Sequence, residues 1–283
     1  MLPGVFLLLG LFGSVSGQEE QLRITAKELN RINGTQDIVI LDARNKNYYD
    51  VDHIKNAISF PVELTYRDLK INGKIQQPAI MQKYFKQRGL DTNRKVVIYD
   101  EGNMIDSARL FWALEVYGIK HVQILDRGYR FWNSEKYPLS QVEPKVSPSN
   151  YIAMIKHNRL ASKFATQLAI NNENKVVIDA RSHPAYLGKT SVARRFGHIP
   201  GALSVPFQHN IVQKEGFSGL KPIGELKKLY SNIPAGKKVI IYCKVGRVSS
   251  TNYFALRELG HDVANYDASW REWGNDESLP IEK

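Results

Sequence analysis

The chain repeats itself, and a repeat of this length restricts it to two similarly folded halves. The segment DIVILDARNKNYYDVDHIKNAISFPVE (37–63) matches KVVIDARSHPAYLGKTSVARRFGHIPGALSVPF (175–207). Each has an apolar run, Asp-Ala-Arg, a helical stretch, His-Ile, a small residue and a second apolar run ending at Pro. Further on, KVVIYDEGNMIDSARLFWALEVYGIKHVQILDRGYRFW (95–132) matches KVIIYCKVGRVSSTNYFALRELGHDVANYDASWREW (238–273). Asp42 and Asp179 lie 137 positions apart, Asp100 and Cys243 143, and Asp126 and Asp267 141. The rise in offset places an insertion in the second copy, in the loop 187–196. Copies this long are domains, not the units of a solenoid. The total of 283 residues agrees, being about twice a usual domain of ~100–150.

Short β-branched runs (VVIYD, VQIL, VVID, VIIYC) alternate with helical stretches such as SARLFWALEVYG and SSTNYFALRELG. That alternation predicts an α/β fold in which each copy is a mostly parallel sheet flanked by helices. Pro138, Pro144 and Pro148, set among polar residues, mark a linker over 139–150. The first domain then spans 18–138 and the second 151–283. Residues 1–17 hold an uncharged, short apolar run followed by small residues. They read as an export signal cut after Gly17, which would leave a periplasmic or secreted protein with no membrane insertion.

A single cysteine, Cys243, rules out an internal disulfide framework and any multi-cysteine zinc site. It directly follows the run VIIY and precedes a helix, the position at which open parallel sheets bind ligands. Its loop continues Lys244, Val245, Gly246, Arg247, Val248, and Ser249-Ser250 then opens the helix with residues suited to capping. A loop curling over a helix N-terminus turns backbone N–H groups toward one point, and Lys244 and Arg247 add positive charge. Such a site favours a nucleophilic thiolate carrying a transferable group. The net charge of +11 suits small anions, and its spread along the chain argues against nucleic acid as a partner.

Asp179-Ala180-Arg181, the run Gly197 to Ala202, the Cys243 loop and the run Tyr266 to Trp273, in this order over two copies, resemble the tandem-domain rhodaneses. These are thiosulfate:cyanide sulfurtransferases. The resemblance implies two α/β domains, with only the C-terminal one catalytic. Asp100 at the matching place of the first copy fits, because a carboxylate cannot carry sulfur; Asp100→Ala is expected to leave the chemistry nearly unchanged. It further implies a Cys243 persulfide, no metal or organic cofactor, thiosulfate as anionic donor, and cyanide or a thiol as acceptor. The amides of 244–248 would stabilise the persulfide, with Lys244 and Arg247 binding the donor. An arginine that several rhodaneses carry shortly after Asp-x-Arg is missing near Pro184-Ala185, and Arg194 and Arg195 are expected to replace it. Ala268 stands where the family usually has Gly. Asp179 and Arg181 are read as a structural ion pair, His198 as a turn residue and Trp270 as core.

Three rival readings remain at this level. A 3-mercaptopyruvate sulfurtransferase shares the chemistry but usually has small residues after the cysteine. A rhodanese-like phosphatase needs Cys, five residues, then Arg, yet Ser249 stands at that place. A persulfide carrier without turnover shares the first step.

Overall fold

The computed structural model describes residues 21–68 and 73–283; the expected export signal at 1–17 lies outside the described residues. Two five-stranded sheets repeat one another. The first runs Arg23–Ile24, Val122–Leu125, Lys95–Tyr99, Ile38–Asp42, Ala57–Ser59, and the second Leu160–Ala161, Val263–Tyr266, Lys238–Tyr242, Lys175–Asp179, Leu203–Ser204. Every pairing within both sheets is parallel. Helices flank each sheet, so the central strands are covered on both faces. This is why VVIY and VIIY read as unbroken apolar runs instead of alternating ones.

Register is duplicated as well as order. Asp42 pairs with Tyr99, and Asp179 with Tyr242. Each tyrosine hydroxyl then donates to its aspartate, at 2.6 and 2.7 Å. Each also accepts the N–H of the isoleucine after His, Ile54 or Ile199, at 3.1 Å. His198 is buried, stacks on Tyr186 with ring centroids 3.7 Å apart, and bonds its carbonyl through Nδ1. Its backbone bridges antiparallel to Glu282, a structural place just before the turn at Pro200 and Gly201.

The helices Asp106–Val116 and Ser249–Glu258 pack on each other and join the two halves. Phe111 meets Phe254 edge to face at 4.9 Å, and Glu115 takes the Arg257 guanidinium at 2.9 Å. One apolar cluster runs through both halves, from Val39 to Val263. The aromatic faces of these helices are thus the seam between the domains. The segment read as linker is also anchored: Leu139–Ser140 pairs antiparallel with His53–Ile54, and Ser149 N–H donates to the Lys86 carbonyl at 3.0 Å.

Candidate active site

Cys243 follows the strand Lys238–Tyr242, and residues 244–248 loop back to the N-terminus of the helix Ser249–Glu258. The cysteine is 1% exposed. Its N–H donates to Ser269 Oγ at 3.0 Å, and its carbonyl accepts the Trp270 N–H at 3.0 Å. The Ser249 hydroxyl sits 3.4 Å from Sγ and 2.8 Å from Asn265 Oδ1. Ser249 therefore does not cap the helix as expected; Val248 is the cap residue, and the hydroxyl turns inward instead. None of the N–H groups of residues 244–248 donates to another described residue.

The first copy shows what such a loop selects. Asp100 occupies the cysteine's place, and Oδ1 accepts the Gly102 N–H at 2.8 Å. Oδ2 accepts the N–H and hydroxyl of Ser107 at 3.1 and 2.9 Å. A carboxylate is thus built into a nest of amides at a helix N-terminus, where negative charge is stabilised. Cys243 holds the corresponding place in the second copy, at the end of its strand and before the helix Ser249–Glu258. Asp100 is consequently more than a spent position. Asp100→Ala leaves these donors without an acceptor and should destabilise the protein by ~1.5–3 kcal/mol, while activity per folded molecule is retained. Thermal melting beside an activity assay checks both halves of that expectation.

Gly246 has φ +72°, and a Cβ on it would lie 2.3 Å from the Asp267 carbonyl oxygen. The turn after it permits no side chain. Ser269 adopts a left-handed φ of +56°, which lets its hydroxyl reach both Cys243 N–H and the Tyr266 carbonyl. Ala268 itself has φ −68°, a conformation open to any residue.

The first domain grips this loop closely. Gly73 packs so tightly that a Cβ on it would fall 1.4 Å from the Val245 carbonyl oxygen. Arg109, fully buried, donates to the carbonyls of Gly246 and Gly73, each at 2.9 Å, and lies between the rings of Tyr66 and Trp112. Burial pulls its pKa down. Asp267 accepts the Ile75 N–H at 2.6 Å and the Ala268 N–H at 2.8 Å, and burial pushes its carboxyl up. Gly73 and Arg109 do not stand out in the sequence, and Asp267 does so only as a repeat position. A usable signal was Asp106 to Arg109, at the helix start that corresponds to the Cys243 loop's own helix.

The expected anion-binding residues divide. Lys244 is exposed and lines a cavity of about 50 Å³ together with Arg181, Ala185, Thr190, Ser191 and Val192. Arg247 instead spans the domain seam, with Nη2 2.6 Å from Asp106 Oδ1, so its charge is shared with a carboxylate. Burial raises the Asp106 pKa against the pull of that guanidinium. Val245 sets its carbonyl against Gly73, and the Val248 carbonyl accepts the Thr251 N–H at 3.1 Å. Arg194 is exposed and does not line the cavity. Arg195 corrects the expectation outright. Its guanidinium donates to the carbonyls of Leu279, Trp273 and Asp276, closing the end of the helix Ser269–Trp273. Trp273 ends that helix and Asp276 and Leu279 lie in the chain after it, so the arginine ties the C-terminal segment together and serves the fold, not the donor. A larger cavity of about 500 Å³, walled by Arg23, Asp126, Ile223 and Glu258, includes no residue of the Cys243 loop.

Known proteins agree with this construction. The family model described as "Rhodanese-like domain" matches twice, over 25–135 and 164–276. A Mycobacterium bovis protein named "Putative thiosulfate sulfurtransferase 1" is 33% identical over 247 residues, covering 83% of this chain and 87% of its own. A relative in Saccharopolyspora erythraea with the name "Putative thiosulfate sulfurtransferase" is 30% identical, covering 83% and 86%. Among solved structures, SseA from Escherichia coli, reported under 3-mercaptopyruvate sulfotransferases, superposes with TM-score 0.78 and 25% identity, covering 88% of this chain and 99% of SseA. An anaerobic ergothioneine biosynthesis enzyme from Chlorobium limicola shares the fold with TM-score 0.81 at 20% identity, covering 94% and 71%. With two matched domains, a duplicated sheet and a cysteine at the strand end that opens the second copy's loop, this chain belongs to the rhodanese family of sulfurtransferases.

Proposed function

We propose that the protein moves the outer sulfur of thiosulfate to a thiophilic acceptor through a Cys243 persulfide. The Cys243 thiolate attacks that sulfur, and the new S–S bond forms as the bond to the sulfonate sulfur breaks. The electron pair leaves with sulfite. A nucleophile such as cyanide then takes the terminal sulfur, giving thiocyanate and returning the thiolate. The observation that carries this reading is the internal comparison: the loop that holds the Asp100 carboxylate in one copy presents a cysteine in the other. Persulfide charge would rest on the amides of 244–248, and no other cofactor enters the cycle.

Two features favour thiosulfate over 3-mercaptopyruvate as the donor. Lys244 stands immediately after the cysteine with an exposed ammonium, which suits a doubly charged donor, and the mycobacterial relative carries the thiosulfate name. The likeness to SseA supports the other donor. Purified protein assayed with each donor and cyanide decides between them. We expect higher kcat/KM with thiosulfate, and a fall in that rate as salt is added, because part of the attraction is long-range and screened. A preference for 3-mercaptopyruvate reverses the donor assignment, and turnover with neither points to a carrier.

A further inference from the structure

The two Asp-Ala-Arg turns are wired alike except at one position. In the first copy Arg44 donates through Nε and Nη2 to Asp42 and through Nη2 to the Asp52 carbonyl. In the second, Arg181 donates through Nε and Nη2 to Asp179 and through Nη2 to the Gly197 carbonyl. Even the stacking is shared: Arg44 lies over Tyr129 at 3.8 Å, and Arg181 over Trp270 at 4.3 Å. They part at Nη1. Arg44 Nη1 reaches Glu101 Oε2 at 3.4 Å, whereas Arg181 Nη1 is buried without a partner among the described residues. The residue in Glu101's place is Lys244, at the same offset that relates Asp100 to Cys243.

The anion that satisfies the arginine in the inert copy has therefore been exchanged for a cation. In its place lies the cavity of about 50 Å³ walled by Arg181, Ala185, Thr190, Ser191, Val192 and Lys244. A buried guanidinium N–H with no acceptor is costly, and such a group in a native fold calls for a partner supplied from outside. The volume exceeds that of one water, roughly 30 Å³, and is on the scale of a small oxyanion headgroup. The Ser191 hydroxyl is already committed, donating to the Arg195 carbonyl and accepting from Trp270 Nε1 and the Ala193 N–H. Thr190, on the exposed rim, is the remaining side-chain hydroxyl.

We propose that this cavity is a subsite for a small sulfur oxyanion. It would hold the sulfonate end of the donor and, once the sulfur has moved, the departing sulfite, taken by Arg181 Nη1, the Lys244 ammonium and the Thr190 hydroxyl. Arg181 is then a positioning residue as well as a brace, and supplies the cation that the sequence sought in Arg195. The assignment rests on the reading of Cys243 as the sulfur carrier, but binding can be measured without turnover.

The test uses Cys243→Ser protein, which cannot form the persulfide, with sodium sulfite, sodium pyruvate and sodium chloride at matched ionic strength. Sulfite should raise the melting temperature saturably, above the chloride effect and above pyruvate. Lys244→Glu in that background recreates the Glu101 arrangement on Arg181. It should weaken sulfite binding at least tenfold while the unliganded melting temperature holds or rises. Lys227→Glu, the same charge change on an exposed helix elsewhere, should leave sulfite binding intact, and Thr190→Val should weaken it several-fold. With Cys243 restored, Lys244→Glu should raise KM for thiosulfate at least tenfold, with a smaller change in kcat. Sulfite acting no differently from chloride, or binding Lys244→Glu as tightly as its parent, overturns the subsite. Specific sulfite binding without thiosulfate turnover in the unaltered protein upholds the subsite and removes the donor assignment. Turnover without specific binding does the reverse.

Discussion

Cys243→Ser should abolish sulfur transfer with both donors and leave melting within a few degrees of the parent protein. The side chain is 1% exposed, and among the described residues its one hydrogen-bonding contact is a long one, from Ser249 Oγ at 3.4 Å. A hydroxyl fits that space, and the backbone bonds from Cys243 to Ser269 and Trp270 do not depend on sulfur. Chemically the exchange is total, because an alcohol at neutral pH is a far weaker nucleophile than a thiolate and cannot store the sulfur. Mass spectrometry after incubation with thiosulfate should find one added sulfur on the parent chain and none on the variant. Thiocyanate formed by the variant above the uncatalysed rate would place the chemistry elsewhere and remove the persulfide mechanism.

Most of the frame around that cysteine is legible in the sequence, for a physical reason. Parallel strands buried on both faces announce themselves as continuous apolar runs, and duplication supplies a second reading of every element. The Asp-Ala-Arg turn is local as well. Asp179 and Arg181 are two residues apart, and their bond needs no knowledge of the rest of the chain. The losses occur where partners come from the other domain. Arg109 holds the Gly246 carbonyl across 137 residues, and Asp106 takes Arg247 across 141. No periodicity or spacing rule marks such pairs. Arg195 differs from its expected role for a related reason: a basic residue near the site looks like a donor ligand until its bonds to the distant Trp273 and Leu279 carbonyls are seen. The one signal left unused was the difference between copies. Glu101 against Lys244 is visible in the aligned repeats, but it gains meaning only once Arg44 and Arg181 are seen to share every other contact.

Gly246→Ala should remove most of the activity while the thiol stays in place, through geometry alone. Two costs add at this position. The left-handed φ of +72° costs an L-residue ~1–2 kcal/mol. The new methyl would also sit 2.3 Å from the Asp267 carbonyl oxygen and 2.6 Å from its Cα, and these are backbone atoms with no rotamer to move into. Relief requires the loop or the Asp267 turn to shift, at ~1–3 kcal/mol. Asp267 is held by the Ile75 and Ala268 N–H groups, and on its other side the loop is held by Arg109 through the Gly246 carbonyl. The shift therefore falls on the loop 244–248, whose amides the proposed mechanism assigns to the Cys243 persulfide. Displacing such groups by about 1 Å costs on the order of a hundredfold in rate. We expect kcat/KM with thiosulfate to fall about a hundredfold, and melting to fall by several degrees. Gly236→Ala separates the two causes: φ there is +77° and nothing lies within 4 Å of the added methyl. It should show the conformational cost in its melting temperature and full activity. A Gly246→Ala protein as active as the Gly236→Ala control would mean that the amide nest tolerates displacement, and the stabilisation of the persulfide would then have to come from side chains.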